Sequence, residues 1–196
     1  MTAMSKVEAA FCRSAPWRRF ASRVVAPWAL GDTSPSGHVL EVGGGSGAMA
    51  EELLTRVPDL SMTIADIDPA MLDAAKRRLA RFGERVQIQL ADVTALDFPD
   101  ATFDQAYCWL MLHHTLSWER ALSELSRVVR SGGVVVGYDL LDTAAARLIH
   151  RLDRSEHRFF TAAALKDELN RLPGATARCD VAIGGLVARF SIARRA

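Results

Sequence analysis

The chain holds 196 residues, with 24 lysines and arginines against 23 aspartates and glutamates and an apolar fraction of 49%. That composition excludes an intrinsically disordered chain, and no apolar run approaches the ~18 uninterrupted residues of a membrane-spanning helix. A formal charge of +1 gives no general attraction to nucleic acid or anionic lipid, and the length predicts a single domain, 1–196.

Residues before Val39 stand apart from the rest of the chain. Phe11, Trp17, Phe20, Val24 and Trp28 fall at roughly helical spacing with Arg13, Arg18, Arg19 and Arg23 interleaved, which predicts a helical lid over residues 1–38. A plain packed helix with solvated arginines, a dimer contact, a membrane-surface helix and a basic nucleic-acid patch are the alternatives. Met1 to Ala10 carries Lys6 and Glu8 and lacks an apolar signal core, so a cytoplasmic protein without stable membrane insertion is expected. Cys12, Cys108 and Cys179 are far apart and read as free thiols in a reducing compartment.

From Val39 onward strands and helices alternate. Val39 to Val42 is a strand running into glycines, and Ser46 to Val57 continues with helical spacing. Met62 to Ile64 is a strand ending at Asp66, and Pro69 opens a helix with Met71, Leu72, Ala75 and Leu79 on one face. Val86, Ile88 and Leu90 alternate with glutamines as a third strand. Phe103 to Trp109 is a fourth strand, a helix spans about Ser117 to Arg130, and Val134 to Val136 begins a fifth strand after Ser131, Gly132 and Gly133. Ala177 to Ile183 and Leu186 to Ile192 are joined only by Gly184 and Gly185, too short a link for a parallel crossover, so they form an antiparallel hairpin. The pattern predicts an α/β, doubly wound, mostly parallel sheet.

The stretch VLEVGGGSGA is the most informative. Gly43, Gly45 and Ala48 satisfy the dinucleotide pattern G-x-G-x-x-G/A, while Glu41, Gly43, Gly45 and Gly47 satisfy the acidic-x-G-x-G-x-G pattern of S-adenosylmethionine (SAM) binders. Charge separates the two. A pyrophosphate favours the positive end of a helix, yet Glu41, Glu51 and Glu52 surround this one and suit a cation better. Glu51 and Glu52 read equally as first-turn acids on a solvated face. Asp66, at the end of the second strand, is placed to accept ribose hydroxyls, and Asp92, after the third, to accept from an adenine amino group.

These motifs, in order with IADIDPAML, QLADVTALDFPDATFD, YCWLMLHH and LSRVVRSGG, resemble a class I SAM-dependent methyltransferase of the small-molecule type. The chain is most similar to the group that includes the quinone-biosynthesis C-methyltransferases, over about Val39 to Arg194. The resemblance implies a Rossmann-like seven-stranded sheet of order 3-2-1-4-5-7-6 with strand 7 antiparallel. It also implies a SAM-binding core over 39–196 and in-line methyl transfer to a small-molecule acceptor, with S-adenosyl-L-homocysteine as product. Carried over by position, Gly43, Gly44 and Gly45 contact the methionine part and Glu41 orients its ammonium. Asp66 then holds the ribose, Ile67 and Met71 pack the adenine, and Asp92 with the Val93 amide reads the adenine edge. Cys108 and Trp109 border the methionine and the departing methyl.

A base for the acceptor must lie beyond the carboxyl ends of the strands, where His113, His114, Tyr138 and Asp139 qualify. Successive helical residues diverge by about 100 degrees, so only one of the two histidines is expected to face the site, and His113 is the choice. The same spacing argues against joint metal ligation by His113 and His114, while His150 and His157 fall on a polar segment, so no metal site is expected. Arg147, Arg151, Arg154 and Arg158 in that segment suit an anionic substrate or a solvated face. The Asn-Pro-Pro-Tyr signature of amino-methylases is missing, which argues against DNA bases as acceptors, and a monomer or homodimer is expected. An NAD(P)-linked oxidoreductase and a non-catalytic SAM-binding protein are the competing readings.

Overall fold

The structure is a computed structural model and describes residues 19–151 and 156–195. Phe11, Cys12, Arg13, Trp17, Arg18 and Arg154, and with them residues 1–18 of the predicted lid, fall outside those residues. A π-helical turn, Ala21–Val25, leads into the short helix α1 (Ala26–Leu30). Then come β1 (His38–Val42), α2 (Ala48–Arg56), β2 (Ser61–Asp66), α3 (Pro69–Leu79), β3 (Val86–Leu90) and β4 (Phe103–Trp109). A 3-10 turn, Leu112–His114, precedes α4 (Trp118–Val128), β5 (Val129–Leu140), α5 (Ala144–Arg151), α6 (Ala162–Arg171), β6 (Ala175–Ala182) and β7 (Val187–Arg194).

Local chemistry accounts for the boundaries. Asp68 caps α3 by accepting from the Ala70 N–H at 2.8 Å, with Pro69 in the first helical position. Gly47 begins α2 in the left-handed region, φ 73°. In β1 every residue after His38 is buried, as a central strand covered on both faces requires.

The seven strands run in the order β3-β2-β1-β4-β5-β7-β6. All neighbours from β3 to β5 are parallel, and β7 pairs antiparallel with both β5 and β6, as the resemblance implies. The fifth strand departs from expectation at its start. It begins at Val129, paired with Phe103, and the register then jumps to Gln105 opposite Val134, so Ser131 to Gly133 form an irregularity inside the strand instead of a linker before it. A Cβ on Gly133 would stand 2.4 Å from the Asp104 carbonyl oxygen, which explains the glycine.

Each face of the sheet has its own core. Ala106, Cys108 and Val135 pack with α4 and α6, while Val39, Tyr107, Trp109 and Val136 pack with α2, α3 and α1. The π-helical turn and α1 join the second layer through Val25 and Ala29, and Trp28 meets the Tyr138 ring edge-on at 5.7 Å. Among the described residues no helix is long and apolar enough to cross a membrane. The order of strands changes direction at β1 and β4, so the carboxyl ends of β1, β2, β4 and β5 converge where sheets of this kind bind ligands.

Candidate functional site

The polypeptide leaves β1 in a turn that only glycine serves well. Gly43 and Gly45 have φ of 61° and 53°, in the left-handed region. Gly44 is required for a different reason, since a Cβ there would meet Ile64 Cγ2 at 2.5 Å. Two bonds tie the turn to the end of β2: the Gly44 N–H donates to the Ala65 carbonyl at 3.3 Å and the Gly45 N–H to Asp66 Oδ2 at 2.8 Å. The result is a backbone surface with no side chain of its own.

Two carboxyls frame that surface. Glu41 is 1% exposed, and its carboxyl carbon lies 3.5 Å from where a Gly44 Cβ would be. Its Oε2 is buried with no hydrogen-bond partner among the described residues. Burial first, and the nearby Asp66 carboxyl second, push the Glu41 carboxyl up to about 8. Burial also raises Asp66, against the opposing bonds from the Asp68 and Gly45 N–H groups. Asp66 accepts one N–H on each oxygen, from Gly45 at 2.8 Å and Asp68 at 2.9 Å, so lone pairs remain for further donors. A buried, unpartnered carboxyl beside bare backbone is what an ammonium group needs, and it disfavours a pyrophosphate.

Glu51 and Glu52 are not part of this arrangement. Glu52 pairs with Arg56 at 2.5 Å and Glu51 with Arg81 at 3.3 Å, the solvated-face reading. Of the remaining expected contacts, Met71 and Val93 are buried, and Ile67 and Asp92 are half-buried, along the carboxyl ends of β2 and β3. Asp92 Oδ1 accepts from both the N–H and the hydroxyl of Thr94 at 2.9 Å, which fixes its direction. Cys108 and Trp109 are both buried but leave β4 on opposite faces, Cys108 with Ala106 and Trp109 against the Tyr107 ring at 5.1 Å. Burial lifts the Cys108 thiol well above its ordinary range, so this cysteine is a small apolar group at neutral pH. Sequence reasoning misses Met111. Its Cγ would stand 2.8 Å from a Cβ on Gly43, so it covers the turn from the β4 side.

Beyond β4 the structure corrects the expectation for the histidines. Leu112 to His114 form a 3-10 turn, not the start of an α-helix, and both rings are buried with centroids 4.0 Å apart. His113 Nδ1 meets Asp139 Oδ1 at 2.5 Å, and the same carboxylate accepts the Leu112 N–H at 2.5 Å and the Leu140 N–H at 2.6 Å. His113 is thus bonded to a side chain at the end of β5, not merely to nearby backbone. His150 on α5, 3% exposed, brings its ring to 4.9 Å from His113 and 5.5 Å from His114. Spacing along the chain is therefore no bar to joint ligation, because a ring nitrogen from each of the three lies within 4.8 Å of the others. Tyr138 points the other way, into the α1 layer. Arg147 and Arg158 are held by Asp142 and Glu119 in two-pronged ion pairs.

Residues 39–133 match the family model of a methyltransferase domain. Over that stretch, just under half of the chain, the sequence is similar to the class I methyltransferases. The chain is 34% identical over 116 residues to a demethylmenaquinone methyltransferase of Thermus thermophilus, an alignment covering 58% of this chain and 53% of that one. The chain thus spans about half the length of the curated relatives it matches. The solved YcgJ protein of Bacillus subtilis superposes with a TM-score of 0.72 at 15% identity, over 91% of this chain and 99% of that one. The cyclase SpnF gives 0.74 at 16% identity, over 94% and 84%. At such identities the likeness is one of fold, and a cyclase among the neighbours shows that the fold alone does not name the reaction.

Proposed function

We propose that the chain is a methyltransferase that binds SAM at the Gly43–Gly45 turn and transfers its methyl group to a small-molecule acceptor at the ends of β4 and β5. The observation that carries the reading is the buried Glu41 carboxyl, whose Oε2 has no partner among the described residues, set beside glycine backbone. Bound there, SAM supplies an electrophilic methyl on a sulfonium that departs as a neutral thioether.

The chain's share is positioning. Glu41, once deprotonated, pairs with the ammonium, and the backbone of Gly43 to Gly45 lies along the methionine part. Asp66 accepts from the ribose hydroxyls with its remaining lone pairs. Ile67 and Met71 pack the adenine, and Asp92 with the Val93 N–H reads its edge. Cys108 and Trp109 close the site at the end of β4. His113, oriented through Nδ1 by Asp139, offers Nε2 to the acceptor's proton.

Residues 1–38 serve as a lid on a core of 39–196, with Trp28 against Tyr138 as its described anchor. The acceptor is a free metabolite in the cytoplasm, and the protein acts as a monomer or homodimer. Isothermal titration with SAM and with NAD tests the cofactor assignment. Binding of SAM alone is expected, and binding of NAD without SAM would return the chain to the oxidoreductase reading. Incubation with methyl-labelled SAM and a metabolite extract should yield a labelled small molecule.

A further inference from the structure

The three buried histidines at the acceptor end have a property that methyl transfer does not require. Imidazoles from two elements converge: His113 and His114 from the 3-10 turn, and His150 from α5. One ring nitrogen of each lies within 4.8 Å of the other two. On α5, Ala146 and His150 stand four residues apart on the inward face, so His150 occupies a core-facing position that packing alone would fill with an apolar side chain.

The support around the set matches a metal centre. Asp139 is fully buried and bonds Nδ1 of His113, which leaves Nε2 as the nitrogen that ring offers. A carboxylate behind a ligating histidine fixes its tautomer and raises its basicity. Three further bonds hold the turn: His114 N–H to the Met111 carbonyl at 3.1 Å, Thr115 N–H to the Leu112 carbonyl at 2.8 Å, and Arg158 N–H to the His113 carbonyl at 2.8 Å. Phe159 stacks on the His113 ring at an interplanar angle of 12°, shielding it from water.

We propose that His113, His114 and His150 bind a divalent transition metal of the zinc class, leaving a fourth position for water or for a donor atom of the acceptor. An all-imidazole set suits zinc, copper, nickel or iron and not magnesium or calcium, which demand oxygen ligands. Three histidines with one position open is the ligand count of a reactive zinc site, whereas a structural site uses four protein ligands. Zinc-to-nitrogen bonds of about 2.0–2.1 Å put tetrahedral ligands about 3.4 Å apart, so a set spread over 4.8 Å must draw in by about 1.4 Å, a side-chain adjustment. With the metal in place His113 is a ligand, and an acceptor hydroxyl or thiol bound at the open position is acidified by the metal and gives its proton to solvent water instead of to His113. Only this last consequence rests on the methyl-transfer reading.

The test uses the full chain, freed of any histidine tag and stripped of metal with a chelator. Zinc is titrated in competition with a chromophoric chelator, and cobalt by its visible d–d absorption. One equivalent per chain is expected, with four-coordinate cobalt bands. His150→Ala and, separately, His114→Gln should each weaken binding by at least about tenfold, while His38→Gln, at the opposite end of β1, should leave it unchanged. Circular dichroism confirms that each variant is folded. No stoichiometric binding by the folded wild type, or equal affinity in wild type and both variants, overturns the site. SAM calorimetry on the same samples keeps the two readings apart: metal binding without SAM binding overturns the function proposed above and leaves the metal site standing, and the reverse removes the metal site alone.

Discussion

The proposed cofactor end and the proposed acceptor end of this site are assembled by different means. At the first, the Gly43–Gly45 turn is positioned by its own backbone and by Asp66, 21 residues on, across one pair of parallel strands. At the second, His113 depends on Asp139, 26 residues away on β5, and on the neighbouring ring of His150 from α5. One end is written in consecutive residues and the other in tertiary structure. Backbone geometry, which tolerates little change, serves the proposed cofactor. Side chains collected from several elements serve the proposed acceptor, where one substitution would alter chemistry without disturbing the fold.

That division can be broken by experiment, and the largest effect should come from the acceptor end. His113→Ala should lower methyl transfer by about 10²–10⁴-fold, measured as labelled product, while SAM affinity by calorimetry stays within a factor of about two. A matching loss of SAM affinity would show that the two ends are not separable. Glu41→Gln should act the opposite way, weakening SAM binding by about 10–100-fold through loss of a charge-assisted contact.

The pH dependence sharpens the same point. Folded Glu41 holds its proton up to about 8, against 4.5 for the ordinary group, so the folded state binds more protons between those values. Its contribution to stability without SAM is therefore greatest at low pH, declines as pH rises from about 4.5 to 8, and is level beyond. Urea denaturation of wild type against Glu41→Gln should show a steeper decline with pH between about 4.5 and 8 in the wild type than in the variant. SAM affinity should run in reverse, rising by at most about tenfold per pH unit from about 6 toward 7.5 as the carboxyl ionises, with release of a proton visible in buffers of different ionisation heat. The smallest change is expected from Trp28→Ala, which removes the edge-on contact with Tyr138 and the Arg189 guanidinium over the indole, costing about 0.5–1.5 kcal/mol of stability by thermal or urea denaturation.

Legibility in the sequence divides along the same line. The strands, the hairpin and the glycine turn with Asp66 can be read because period-two and period-3.6 patterns and the spacing of glycines are local features. Sequence cannot supply the state of Glu41, since its missing partner and raised carboxyl depend on what buries it. The histidines mislead for a local reason: a 3-10 turn directs adjacent side chains differently from an α-helix, and nothing in Leu112 to Thr115 announces it. His150 reads as part of a polar segment because Arg147, Arg151, Arg154 and Arg158 flank it in the sequence, although Ala146 four residues earlier marks the inward face. Cys108 and Trp109 share one expected role, whereas strand alternation sends them to opposite layers.

The place of β7 has a consequence in time. It lies between β5 and β6, and β6, though made earlier, has no other partner in the sheet. During synthesis the edge of β5 from Val134 to Leu140 therefore waits, with its N–H and C=O groups unpaired, until residues 187–194 arrive. Until then that edge is the surface on which a second nascent chain could pair. Closure of the hairpin onto β5 should be the late, slow event of folding, and slowing translation just before residues 187–194 should favour aggregation over yield.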